Sequence, residues 1–429
     1  MKICMFTNTY LPHVGGVARS VSTFAEDLRQ EGHSVRIIAP TFPDTKQEVD
    51  EDIVRVPAIQ NFNGSDFSVS IPLPGIINNA IEEFKPEIIH SHHPFLLGDA
   101  ALRTARAFDL PLVFTHHTLY ENYTHYVPLN SKTLRRFIIN LATEYANLCN
   151  QVIAPSSSVR NLLVERGVKS AVEILPTGID VDFFKQGDGR KFRKKQKIDD
   201  NTHIIGHLGR LAHEKNLPYL AASVAKYIRE RENVCFVVAG KGDAEKKMGE
   251  IFRENHIEDR LIMPGNLTGH ELADCYKAMD IFVFASKSET QGLVLAEAMA
   301  ASTPVIALSA SGVNDIMKEK VNGIKLDGGA SQEEFARALE EALQDKEQLD
   351  TWSRNAFETA EEFSREKSVG RLVELYKKTL AGGHYPHKTE IDRLDTALKA
   401  VKTEWELLQE KAAAAVNSFS AEDKAQDNE

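Results

Sequence analysis

Residues 281–300 read Ile281-Phe282-Val283-Phe284-Ala285-Ser286-Lys287-Ser288-Glu289-Thr290-Gln291-Gly292-Leu293-Val294-Leu295-Ala296-Glu297-Ala298-Met299-Ala300. The first four residues are a short apolar run, the mark of a strand buried in a sheet. A polar loop carries the chain to Gly292. The stretch from Leu293 reads as a buried helix, where an unpaired Glu297 would be costly. Strand, glycine loop and helix make one βα unit, and the rest of the chain repeats it.

Working toward the N-terminus, strands are expected at His203–Leu208, Cys235–Ala239 and Arg260–Met263, and one more follows at Pro304–Ala307. An earlier series has strands at Lys2–Phe6, Val35–Ala39, Ile88–Ser91, Leu112–Thr115 and Val152–Ala154. A helix over Val17–Arg29, with Val17, Val21, Phe24 and Leu28 on one face, joins the first two. Two such series mean an α/β protein with two doubly wound, Rossmann-like domains facing across a cleft. The expected division is 1–185 for the first domain, 186–365 for the second and 366–383 for a closing helix. Ligands of such sheets lie beyond the carboxyl ends of the strands, so the cleft is the expected site.

Residues 384–429 differ in kind. Ile391, Leu394, Leu398, Val401, Trp405, Leu408, Ala412 and Ala415 recur in steps of four and three. That heptad pattern suggests a homodimeric coiled coil through 388–416, followed by a disordered acidic end. This tail supplies −4 of the net charge of −11. An acidic chain is a poor general binder of nucleic acid. Four scattered cysteines, Cys4, Cys149, Cys235 and Cys275, suggest buried thiols and no disulfide or zinc framework. The start of the chain has no signal-like segment, and no apolar run is long enough to span a bilayer, so a cytoplasmic protein is expected.

Three loops at strand ends carry the chemistry. Gly15-Gly16-Val17 lets backbone N–H groups at a helix start approach an anion, although the spacing is not that of a dinucleotide site. Arg19, just beyond, reads as a solvated helix residue. Gly209-Arg210-Leu211-Ala212-His213-Glu214-Lys215 brings Arg210 and Lys215 to a strand end, where a guanidinium and an ammonium suit a diphosphate. The third is the quoted loop. Glu289 and Glu297 flank its helix start, placed to accept hydrogen bonds from hydroxyls of a hexose and a ribose.

With these motifs in this order, residues 1–380 resemble the family-4 retaining glycosyltransferases of GT-B fold. The resemblance implies a nucleotide-sugar donor. Glu289 would bind the donor sugar, helped by the backbone of Gln291, Gly292 and Leu293, and Glu297 the ribose. Arg210 and Lys215 would neutralise the leaving diphosphate, Gly16 would donate its N–H to it, and no metal or other cofactor would be needed. Asp180 and Asp182 fall at the domain crossover and read as structural.

Histidines cluster at His90-Ser91-His92-His93 and His116-His117. A zinc site is conceivable but lacks further ligands at suitable spacing. The resemblance favours His117 as the active-site histidine, with His116 its near rival, and gives Asp99 a weak orienting role. The run Thr118–Pro128, with Tyr120, Tyr123 and Tyr126, precedes Lys132, Arg135 and Arg136. Aromatic residues beside basic ones suit a membrane interface, and this run is similar to that of bacterial diacylglycerol glucosyltransferases. The implied reaction moves glucose from UDP-glucose to diacylglycerol, with peripheral contact on the inner face of the membrane. The alternatives are a GDP-mannose or UDP-sugar transferase with a soluble sugar acceptor, a UDP-sugar 2-epimerase, and a non-catalytic scaffold.

Overall fold

The computed structural model describes residues 1–13, 15–42, 51–60, 68–119, 132–287 and 289–382. The strands of its first part are β1 (Lys2–Phe6), β2 (Ser34–Pro40), β3 (Ile53–Val56), β4 (Ala58–Ile59), β5 (Val69–Ser70), β6 (Ile88–Ser91), β7 (Leu112–Thr115), β8 (Gln151–Ala154) and β9 (Val172–Ile174). Seven of them form one sheet in the order β3-β2-β1-β6-β7-β8-β9, with every neighbouring pair parallel. Strands β4 and β5 pair separately and antiparallel. The second part holds β10 (His203–Leu208), β11 (Val234–Ala239), β12 (Leu261–Gly265), β13 (Ile281–Phe284), β14 (Val305–Leu308) and β15 (Gly323–Leu326). They form a six-stranded parallel sheet in the order β12-β11-β10-β13-β14-β15.

Both sheets are doubly wound. Each has a topological switch point, at β1/β6 and at β10/β13, where the loops leave in opposite directions and open a crevice. The central strands are buried on both faces, which is why they read as unbroken apolar runs. In the first sheet Ile3, Met5, Ile37 and Val113 pack on one side and Cys4, Phe6, Ile89 and Phe114 on the other. In the second, Ile205, Phe236 and Val283 face one layer, and Val237, Phe282 and Phe284 the other.

The last residues before 185 lean on the second domain. Ile179 and Phe184 already pack in the second core. Asp180 caps the short helix Val181–Lys185 by accepting from the Phe183 N–H at 2.9 Å, a structural role for that residue. The helix Arg365–Ala381 returns, burying Val369, Leu372 and Tyr376 beside β1 and the helix Gly16–Gln30. All four cysteines are buried thiols. No helix among the described residues is long and apolar enough to cross a membrane. The heptad segment lies outside the described residues.

Candidate functional site

Every loop singled out by sequence leaves the carboxyl end of a strand at one of the switch points or beside it. Gly15-Gly16 follows β1, His92 follows β6, and His116-His117 follow β7. The Gly209–Lys215 loop follows β10, and the Glu289 loop follows β13.

Glu289 has the most defined surroundings. Its Oε2 accepts from Lys215 Nζ at 3.1 Å, and its Oε1 from the Gly292 N–H at 3.2 Å. Burial pushes the carboxyl pKa up. The Lys215 ammonium and the N–H groups of Gly292 and Gln291 pull harder, leaving it below the usual carboxylate range. Gly292 caps the helix Leu293–Ala300 at φ +83°, a backbone form that suits glycine. Gly312 approaches the same loop so closely that a Cβ there would lie 2.5 Å from the Gln291 nitrogen. This loop meets the first domain directly, since Thr290 Oγ1 donates to the His117 carbonyl at 3.0 Å.

Gln291, expected to serve through its backbone, has its side chain committed elsewhere. Its Oε1 accepts from the Thr177 N–H at 3.0 Å, and its Nε2 donates to the Thr177 carbonyl at 2.7 Å. One carboxamide thus pins the loop to the interdomain crossover. Leu293 is the first residue of the helix behind the loop. Arg210 pairs with Glu214 on its own loop. Gly16 opens its helix, and a Cβ on it would meet nothing within 4 Å.

The histidines converge as expected. His92 Nδ1 and His117 Nε2 are 2.9 Å apart, and the His90 and His92 rings are 4.1 Å apart. Burial lowers His92 and His117 well below the usual value, reinforced by the other histidines around them. Both rings are therefore neutral, so one donates and the other accepts. Burial also takes His90, His93 and His116 down to about 3. His90 spends both ring nitrogens within the protein, on Tyr376 Oη at 2.6 Å and Thr115 Oγ1 at 2.7 Å. His93 Nδ1 accepts from the Asn8 N–H at 3.1 Å. Asp99 lies in the first turn of the helix Leu97–Ala107. Arg135 and Arg136 are exposed on the helix Lys132–Asn147. Tyr120, Tyr123 and Tyr126 lie outside the described residues.

Arg19 overturns its reading as a solvated residue. Its guanidinium crosses to the second domain and pairs with Glu297. The other Glu297 oxygen accepts from Tyr276 Oη at 2.9 Å. Burial, and next the Glu297 charge, raise the Tyr276 pKa well above normal, so the phenol stays a donor. Sequence reasoning missed Arg19 and Tyr276 as partners of Glu297. For Arg19 a signal existed: it sits one turn into the helix that Gly15-Gly16 opens, so its reach overlaps theirs.

Residues 14–183 match the family model described as Glycosyltransferase Family 4, and residues 188–359 that of Glycosyl transferases group 1. An alpha-monoglucosyldiacylglycerol synthase of Streptococcus pneumoniae is 33% identical over 80% of this chain and 78% of its own. A GDP-mannose-dependent alpha-mannosyltransferase of Corynebacterium glutamicum is 29% identical over 89% of this chain and 90% of its own. Among solved structures, Anabaena HepE in complex with UDP-glucose superposes with a TM-score of 0.70 at 18% identity, over 88% of this chain and all of that one. Sucrose-phosphate synthase from Thermosynechococcus elongatus gives 0.73 at 19%, over 89% of this chain and all of its own. The structural likenesses establish the GT-B fold.

Proposed function

The chain belongs to the family-4 glycosyltransferases, and from that premise we propose that it transfers glucose from UDP-glucose to diacylglycerol with retention of anomeric configuration. Similarity to alpha-monoglucosyldiacylglycerol synthases supports the glucosyl group and the acceptor. Similarity to GDP-mannose-dependent transferases keeps mannose transfer as the rival. The observation that carries the reaction type is the Lys215–Glu289 pair. It sets a cation and a hydroxyl acceptor side by side at the end of β13, with the His117 loop hydrogen-bonded to the same loop.

In this reading Glu289 accepts from hydroxyls of the hexose, and Glu297 from those of the ribose. Gly16 faces the diphosphate, and the backbone around Gln291, Gly292 and Leu293 helps Glu289 hold the sugar. The bond from the sugar C1 to the phosphate oxygen breaks, and its electron pair leaves with the diphosphate. Arg210 and Lys215 stabilise that charge, as preorganised cations do for charge developing in a transition state. The acceptor oxygen bonds to C1 on the face the diphosphate leaves. Its proton passes to the departing phosphate oxygen, so no protein base is required. Neutral His117 lies beside the transferred sugar as a hydrogen-bonding group. Because Arg210 and Lys215 supply the positive charge, the reaction is expected to persist in excess EDTA. A lipid acceptor places the work on the cytoplasmic face of a membrane.

The test is Glu289→Ala, assayed with UDP- and GDP-hexoses against lipid and sugar acceptors, with the product anomer read by proton NMR. Loss of transfer in a folded variant and an α-linked product from the wild type are expected. Near-normal turnover, or a β-linked product, would sink the assignment.

A further inference from the structure

Glu297 is the carboxylate that the proposed function gives to the donor ribose, and its side chain is only 1% exposed. Tyr276 covers one oxygen and Arg19 the other. Tyr276 belongs to the same domain and packs in the core beneath. Arg19 comes from the opposite domain, and about half of its side chain, 48%, is exposed. Arg19 is thus the accessible cover on the carboxylate, and Tyr276 the fixed one. A ribose hydroxyl that reaches Glu297 must take the place of the guanidinium.

A displaced Arg19 does not go far. Its backbone N–H is bonded to the Gly15 carbonyl at 2.9 Å, so it rises from the first turn behind the Gly15-Gly16 helix start. That helix start is itself suited to an anion. We propose that Arg19 is a donor-binding residue that exchanges the Glu297 carboxylate for the donor's diphosphate, an inference that rests on the donor reading above. The exchange leaves no charge unpartnered. Ribose hydroxyls replace the guanidinium on Glu297, and phosphate oxygens replace the carboxylate on Arg19. A nucleoside without phosphates supplies only half of it, and strands the guanidinium.

Isothermal titration of uridine against UDP, and of guanosine against GDP, tests the exchange. In Arg19→Met the nucleoside should bind several-fold more tightly, because its competitor is gone. The diphosphate should lose the charge-assisted contact, so the diphosphate-to-nucleoside affinity ratio should fall at least about tenfold. Should Arg19→Met fail to fold by its thermal transition, the wild-type chain still answers the question. Phenylglyoxal modification of Arg19, followed by mass spectrometry, should be accelerated by the nucleoside and blocked by the diphosphate. An unchanged affinity ratio in folded Arg19→Met, or nucleoside and diphosphate shifting the modification rate alike, overturns the exchange and leaves the donor reading standing. Failure of the wild type to bind either UDP or GDP overturns the donor reading, and this inference with it.

Discussion

Lowering the pH should unfold this protein well before its carboxylates are protonated. Five histidines, His90, His92, His93, His116 and His207, are almost wholly buried. Burial holds His90, His93 and His116 at about 3, His207 at about 4, and His92 well below its usual value. Unfolded, each returns to about 6.5. The unfolded chain then binds more protons than the native one, so stability falls with pH. The contribution is complete above pH ~6.5 and is lost progressively from there toward the native values near 3 to 4. Between pH 7 and pH 5 each group costs about 2 kcal/mol, and the five together about 9 kcal/mol. That is comparable to the whole stability of a typical domain. Two groups act the other way: His203, raised mainly by its hydrogen bond to Asp280, and Asp27, raised by burial. His203 is partly exposed and Asp27 is buried, and the two are outnumbered. Thermal unfolding followed by circular dichroism from pH 7.5 to 5.0 should show a steep fall in Tm below pH 6.5. A flat Tm over that range would refute the reasoning. So would native histidine C2–H resonances for these five rings titrating near pH 6.5.

Lys215→Met removes the cation that holds Glu289 low, so burial dominates and the Glu289 pKa rises. Whatever activity survives should have its acid limb shifted upward by about one pH unit or more, and an unmoved limb would show that Lys215 does not set that ionisation. Gln291→Ala strands a buried N–H and carbonyl of Thr177 at the crossover. It should cost about 2–4 kcal/mol, read as a lower Tm, and raise the donor KM more than it lowers kcat; an unchanged Tm and KM would leave the clamp without a role.

The parallel strands were legible because they are buried on both faces, which forces four to six consecutive apolar residues and leaves little room for another reading. Ile88–Ser91, Leu112–Thr115, His203–Leu208 and Ile281–Phe284 all lie where the apolar runs set them. Edge strands β3, β9 and β15 escaped notice. Most of their residues are only partly covered, and Arg55, Glu173 and Lys325 interrupt the apolar pattern. The expected division at 185 falls at the end of Val181–Lys185, a short helix that already packs with the second core. Only packing shows that Phe184 belongs to the second core. At the site, the loops were readable from their glycines and charges, but the pairings across domains were not. Arg19 and Glu297 are 278 positions apart, and no periodicity links a helix residue in one domain to a helix residue in the other.

The ion pairs of the site share a chemical logic. Arg19 holds Glu297, Lys215 holds Glu289, and Arg210 holds Glu214. Both cations expected to face phosphate, and Arg19 with them, rest on carboxylates, and two of those carboxylates are the ones expected to face hydroxyls. A nucleotide sugar carries both complements in one molecule, anionic oxygens for the cations and hydroxyl donors for the carboxylates. A sugar alone would compete with the cations for the acids and leave them unpaired. A phosphate alone would strip the acids of their cations inside a low-dielectric cleft, where an uncompensated charge is costly. On the proposed function, pairing the site's charges with one another would discriminate against half-donors before any contact with the base is made. It also ties donor entry to separation of the Arg19–Glu297 contact, the one pair of the three that spans the two domains.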